Sequence, residues 1–261
     1  MLTAIGMRLL TGRVPGRLVR INVNKVSVPA VLGIPIVAAG LVCLAAVIWI
    51  DGSTVAWAAG VVTVTLGVAG FWDDLRGHEL PRGFSGHLTA ARGGRLTGGI
   101  VKLLAGAAGG LIAGLFVAEG RAVIEVALLV ALSANLINLF DRAPGRAGKV
   151  ALVIGIPLIV FGASDWGVIA AGFLGALTVS LPADLAERAM LGDAGANPLG
   201  GLLGLGLGVS LPPAGRWGAI VVLLVLNVMS ERISFSQVIS NNAFLSRLDL
   251  LGRRGEEREA S

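Results

Sequence analysis

The chain has 261 residues, of which 55% are hydrophobic and only 14% charged, with a formal net charge of +5. Soluble domains run at about 45–50% apolar and about 25% charged. The balance excludes a disordered chain, argues against a soluble domain, and concentrates in long uncharged runs that read as a polytopic membrane protein.

Taken in chain order, residues 1–12 read either as an amphipathic lead-in or as the remnant of another helix, and MLTAIGMRLLTGR lacks the features of a signal peptide. Eight apolar segments follow as expected spans: 26–50, 53–71, 99–118, 122–140, 150–163, 166–182, 197–212 and 216–230. None alternates like a barrel strand, so the expected fold class is all-α, a transmembrane helical bundle of about eight spans in one domain, 1–261. A long loop at 72–98 and a polar tail at 241–261 complete it. Cys43 sits in an apolar run and reads as a buried hydrophobe. His78 and His87 are too few for a His-based metal site.

Orientation follows from the basic residues. Alternate connections carry nearly all of them, from Arg13, Arg17, Arg20 and Lys25 through Arg142, Arg146 and Lys149 to Arg253 and Arg254, whereas the other set carries Arg121 and Arg216. The positive-inside rule makes the first set cytoplasmic and puts both termini inside. The basic excess then belongs to loops facing anionic lipid. No nucleic-acid motif accompanies it. Trp49, Trp166 and Trp217 are expected as outer interfacial anchors and Trp72 as an inner one.

The acids sort to the same face. Asp73 and Asp74 end the second span, Asp141 the fourth and Glu231 the eighth, while Asp193 precedes the seventh. Carboxylates at helix C-termini oppose the helix dipole, so a shared cation is the expected reason for keeping several together. Each has a plainer alternative: Asp73 and Asp74 pairing with Arg76, Asp193 acting as an N-cap, Glu231 pairing with Arg232. Asn135, Asn138 and Asp141 recur at i, i+3 and i+6, a polar stripe that reads either a ligand or a neighbouring helix. Glu125 is expected to pair with Arg121 at i, i+4. Carboxylates able to hold Mg²⁺, a basic set ending at Lys102 and Gly-rich loops on a lipid-facing side are the parts of phosphoryl transfer involving a lipid phosphate.

The order GFWDDLRG, GGIVKLL, NLINLFD, MLGDAGANPLGG and ERISFSQVI resembles the polyprenyl-phosphate sugar-1-phosphate transferase family. That family includes the phospho-MurNAc-pentapeptide translocase and the undecaprenyl-phosphate GlcNAc-1-phosphate transferases. The resemblance spans about residues 12–240. It implies transfer of a sugar 1-phosphate from a UDP-sugar to a polyprenyl phosphate, releasing UMP, for cell-envelope glycan synthesis at the bacterial cytoplasmic membrane. By position, Asp73, Asp74 and Asp193 are the implied catalytic residues, with Asp193 and Asp73 holding Mg²⁺. Lys102, Asn135, Asn138 and Asp141 are the implied substrate-binding residues. The implied partners are the polyprenyl phosphate, the UDP-sugar, membrane lipid and a second copy of the chain in a homodimer. The chain departs from the family pattern in having no His after His87, Arg142 where a Gly is usual, and Ala196 where a Ser is usual. A transporter or flippase-like protein and a catalytically inactive family member are the alternatives.

Overall fold

A computed structural model describes residues 14–76 and 98–253. Most of the 72–98 loop, including His78 and His87, and the end of the 241–261 tail lie outside the described residues.

The described chain opens with a 3-10 turn, Gly16–Leu18, and an antiparallel hairpin of β1 (Val19–Ile21) and β2 (Ser27–Pro29). Eight long helices follow: α1 (Gly33–Asp51), α2 (Thr54–Arg76), α3 (Gly98–Val117), α4 (Arg121–Phe140), α5 (Arg146–Phe161), α6 (Ser164–Leu185), α7 (Asp193–Ser210) and α8 (Pro213–Ser230). Two short ones close it, α9 (Phe235–Asn241) and α10 (Ala243–Leu250). Six helices, α1 to α4, α6 and α8, are long and apolar enough to cross a membrane. The protein is thus an all-helical, multi-pass membrane protein apart from the hairpin.

The hairpin corrects the expected first span. Residues 26–32 carry three β-branched valines around Pro29, and Pro breaks a helical ladder. Val28 pairs with Arg20 instead, and α1 starts only at Gly33. Asn22 fixes the turn, its Oδ1 accepting the N–H of Asn24 at 3.0 Å and of Val26 at 2.9 Å. The hairpin then ties together two distant loops. Val23 donates its N–H to Arg142 O at 2.9 Å, and Met190 donates to Pro29 O at 2.8 Å.

Helix α7 is the axis of the bundle. Residues 194–206 are buried throughout, and α1 to α6 all pack on it. Gly200 and Gly204 lie against the backbone of α4, so side chains there would force the two helices apart. Trp166 corrects another expectation. It is fully buried rather than interfacial, its indole set against Gly206 and its Nε1 donating to Leu202 O at 2.9 Å. Trp49 and Trp217 are exposed, as an interfacial belt requires. Trp72 stacks under the Arg76 guanidinium, 3.7 Å from its ring centroid.

Candidate active site

The start of α7 is buried, and a helix N-terminus leaves four backbone N–H groups unsatisfied. Its N-cap position is Gly192, which has no side chain to help. Neighbouring helices supply the acceptors. Asp141, ending α4, accepts the Gly192 N–H at 2.8 Å. Asp74, in the last turn of α2, accepts the N–H of Asp193 at 3.2 Å and of Ala194 at 2.9 Å. Each carboxylate, unfavourable at its own helix C-terminus, thereby meets the positive end of another helix. Gly192 is required here, because its φ is +71° and a Cβ would lie 2.9 Å from Asp74 Oδ2.

A second layer stands on this one. Lys102, in the second turn of α3, places its Nζ 2.8 Å from Asp73 Oδ2 and 2.7 Å from Asp193 Oδ2. Asp73, Lys102 and Asp193 keep 19%, 21% and 16% of their side-chain surface exposed, whereas Asp74 keeps 3%. The triad is therefore the layer a substrate can touch, and Asp74 with Asp141 is its buried support. Asp73 and Asp74 point in different directions, as successive helix residues must. Arg76 pairs with neither, being stacked on Trp72.

Two groups escaped the sequence reading. Arg20 of β1 donates Nη2 to Asp74 O and lies 3.8 Å from Asp74 Oδ1. Asp184, ending α6, is buried and accepts the Gly145 N–H. The criterion that found Asp141, an acid at the inner end of a span, also describes Asp184. Nothing in the sequence pairs Arg20 with α2. Burial, foremost, and then the nearby Asp184 carboxylate hold Asp141 well above the usual carboxylate range, against the opposing Gly192 N–H.

The remaining expected residues sit apart. Asn138 is half-buried one turn before Asp141. Asn135 is exposed and donates Nδ2 to Asn227 Oδ1 of α8 at 2.6 Å, the helix-pairing alternative. Glu231 is exposed after α8. At the opposite end of the bundle Glu125 lies 2.6 Å from Arg216 Nε and 3.8 Å from the expected Arg121.

Among the described residues no three His, Cys, Asp or Glu side chains form a cation site by themselves. Mg²⁺ needs less, one or two carboxylates with water and substrate phosphate oxygens completing its shell. Asp73 and Asp193 converge on one cation, Lys102 Nζ, and their donor chemistry fits that requirement. Searched against known families and curated proteins, the chain matches no family model and no curated protein.

Proposed function

We propose that the protein transfers a sugar 1-phosphate from a UDP-sugar to a polyprenyl phosphate, releasing UMP at the cytoplasmic membrane face, as a divergent member of the family its motifs resemble. The observation that carries this reading is the Asp73–Lys102–Asp193 triad, seated on a helix N-terminus whose amides are held by Asp74 and Asp141. An ammonium, together with carboxylates able to hold Mg²⁺, is what a diphosphate and a lipid phosphate need to meet without repulsion, and the capped start of α7 keeps Asp193 in place.

The proposed reaction balances as follows. An oxygen of the lipid phosphate bonds to the sugar-linked β-phosphorus as the bond from that phosphorus to the bridging oxygen breaks. UMP departs with that oxygen and its electron pair. Asp73 takes the proton of a monoprotonated lipid phosphate, and Lys102 offers N–H donors to the non-bridging oxygens. Mg²⁺, when held by Asp193 and Asp73, supplies charge neutralisation on the phosphates. Asp74 and Asp141 act by position, keeping the α7 start and hence Asp193 in place.

The excess of basic residues in alternate connections supports a cytoplasmic location for this end of the bundle, with both termini inside. The reading takes α5 and α7 as crossing too, giving eight spans. At 1.5 Å per residue the 18 residues of α7 reach about 27 Å, close to a bilayer core. Protein surrounds α7, so it needs no lipid-facing apolar surface. The proposed setting is a bacterial inner membrane. The transporter reading would need charged groups near mid-bilayer, and the acids described above gather at helix ends.

The test is UMP release by the purified protein from a panel of UDP-sugars with Mg²⁺, with and without polyprenyl phosphate. Release that requires the lipid supports the reading. No release from any UDP-sugar overturns it.

A further inference from the structure

Residues 241–261 read as a polar tail in the sequence, yet Ala243–Leu250 forms an amphipathic helix. Phe244, Leu248 and Leu251 recur at i, i+4 and i+7 and are 69%, 49% and 68% exposed. Such a stripe needs a cover. Its direction is fixed by the contacts behind it. Asp249 accepts Arg146 Nε and Nη2 at 2.8 Å each, a two-pronged contact with the start of α5. Lys149 Nζ caps the far end by donating to Leu248 O at 3.1 Å and Leu251 O at 3.3 Å. Arg146 Nη1 also donates to Ser236 of α9 at 2.9 Å, and Phe235 stacks on Phe140 with centroids 5.3 Å apart. The polar edge of α10 is thus latched to the bundle, and the apolar stripe faces away from the latch.

Two observations identify the cover. The exposed face of α8, a helix apolar enough to cross a membrane, carries Val225, Val228 and Met229, and runs on through exposed Ile233 toward the same segment. Arg247 sits on α10 beside the stripe and Arg232 just after α8, and both are exposed, matching anionic headgroups. We propose that the Phe244–Leu248 face of α10, with Leu251 just beyond the helix, is seated in the inner leaflet, with Arg232 and Arg247 on anionic lipid headgroups, as an interfacial anchor. The inner leaflet is assigned by the orientation proposed above; the burial itself requires no catalytic activity. The anchor also bears on the site, because Arg146, which holds it, opens the helix that follows Asp141.

The test uses the full-length protein in a Cys43→Ala background, with single cysteines at Phe244, Leu248 and, about 100° round the helix from Phe244 and past Arg247, Ala243. Each carries a nitroxide, and the protein is reconstituted in vesicles containing phosphatidylglycerol. All three positions are exposed, so folding tolerates the labels. The expected result is that oxygen collides with the labels at 244 and 248 severalfold more than a water-soluble nickel chelate does, with the order reversed at 243. In phosphatidylcholine vesicles the contrast at 244 and 248 should shrink. Chelate-dominated collisions at all three positions would overturn the proposal. So would labels shielded from both reagents with spin–spin broadening that disappears on dilution with unlabelled protein, which would make the cover a second copy. Neither result depends on UMP release, so this inference and the transferase reading stand or fall separately.

Discussion

Asp74 of α2 accepts the backbone N–H of Ala194 at the start of α7, 120 residues away in sequence, at 2.9 Å. This contact joins a residue disfavoured by its own helix to amides that their own helix cannot satisfy. It also fixes where Asp193 stands.

Asp74→Ala removes the acceptor for two amides. Loss of an N-terminal cap costs about 1–2 kcal/mol, so the thermal midpoint in detergent should fall and UMP release with it. Asp74→Asn keeps a carbonyl acceptor and should lose less stability. An unchanged midpoint in the alanine variant would show that the cap is dispensable.

Lys102→Met leaves Asp73 and Asp193 facing each other without the ammonium. Removing one preorganised charged donor typically costs about 10²-fold in rate or more. UMP release should fall by that order at saturating substrates. Parent-like turnover would remove Lys102 from the proposed mechanism.

Gly70→Ala tests the close approach of α2 to α7, since a Cβ there overlaps the carbonyl of Asp193. Overpacking of this kind costs about 1–3 kcal/mol. A lower thermal midpoint together with weakened activity is expected, whereas Gly60→Ala, with open space around it, should change neither.

Asp249 is subject to burial, which raises its pKa, but the hydrogen bond and charge of Arg146, then Arg253 and Lys149, outweigh it and hold the carboxyl below the usual range. A depressed folded pKa gives stability that is present above the unfolded value of about 4 and is lost as pH falls through the folded value. Hydrogen exchange in α10 should therefore stay slow from neutral pH down to about 4 and accelerate below it. Asp249→Asn should abolish that dependence and loosen α10 at every pH. A parent whose α10 exchange, corrected for intrinsic rates, shows no such change would contradict the latch.

Asp141 has the opposite sign. Its raised folded pKa means that stability falls as pH rises from about 4 toward the folded value. Asp141→Asn keeps an acceptor for the Gly192 N–H and removes the charge. Its thermal midpoint should gain on the parent at pH 8 more than at pH 5. An equal difference at both pH values would refute the assignment.

Much of this was legible in the sequence because membrane helices are written in composition. The eight apolar runs fall on eight helices, the first of them shortened by the hairpin. Asp73, Lys102, Asp141 and Asp193 converge because helix ends on one side of a bundle meet there. What stayed hidden depends on tertiary pairing. Residues 26–32 look apolar enough to span until β1 pairs with them. Asn135 reads as part of a ligand stripe until Asn227 is placed beside it. Trp166 fits an interfacial belt until Gly206 opens a slot for it. Arg20 and Asp249 are ordinary charged residues in their local sequence, and only the hairpin and α10 carry them to their partners.

The central claim is that Asp193, held at the start of α7, is part of a phosphoryl-transfer site. Its most direct test is Mg²⁺-dependent, polyprenyl-phosphate-dependent UMP release by the parent and by Asp193→Asn, with folding of both checked by thermal midpoint. The parent should release UMP and the folded variant none above background. Equal turnover by the two proteins would contradict it.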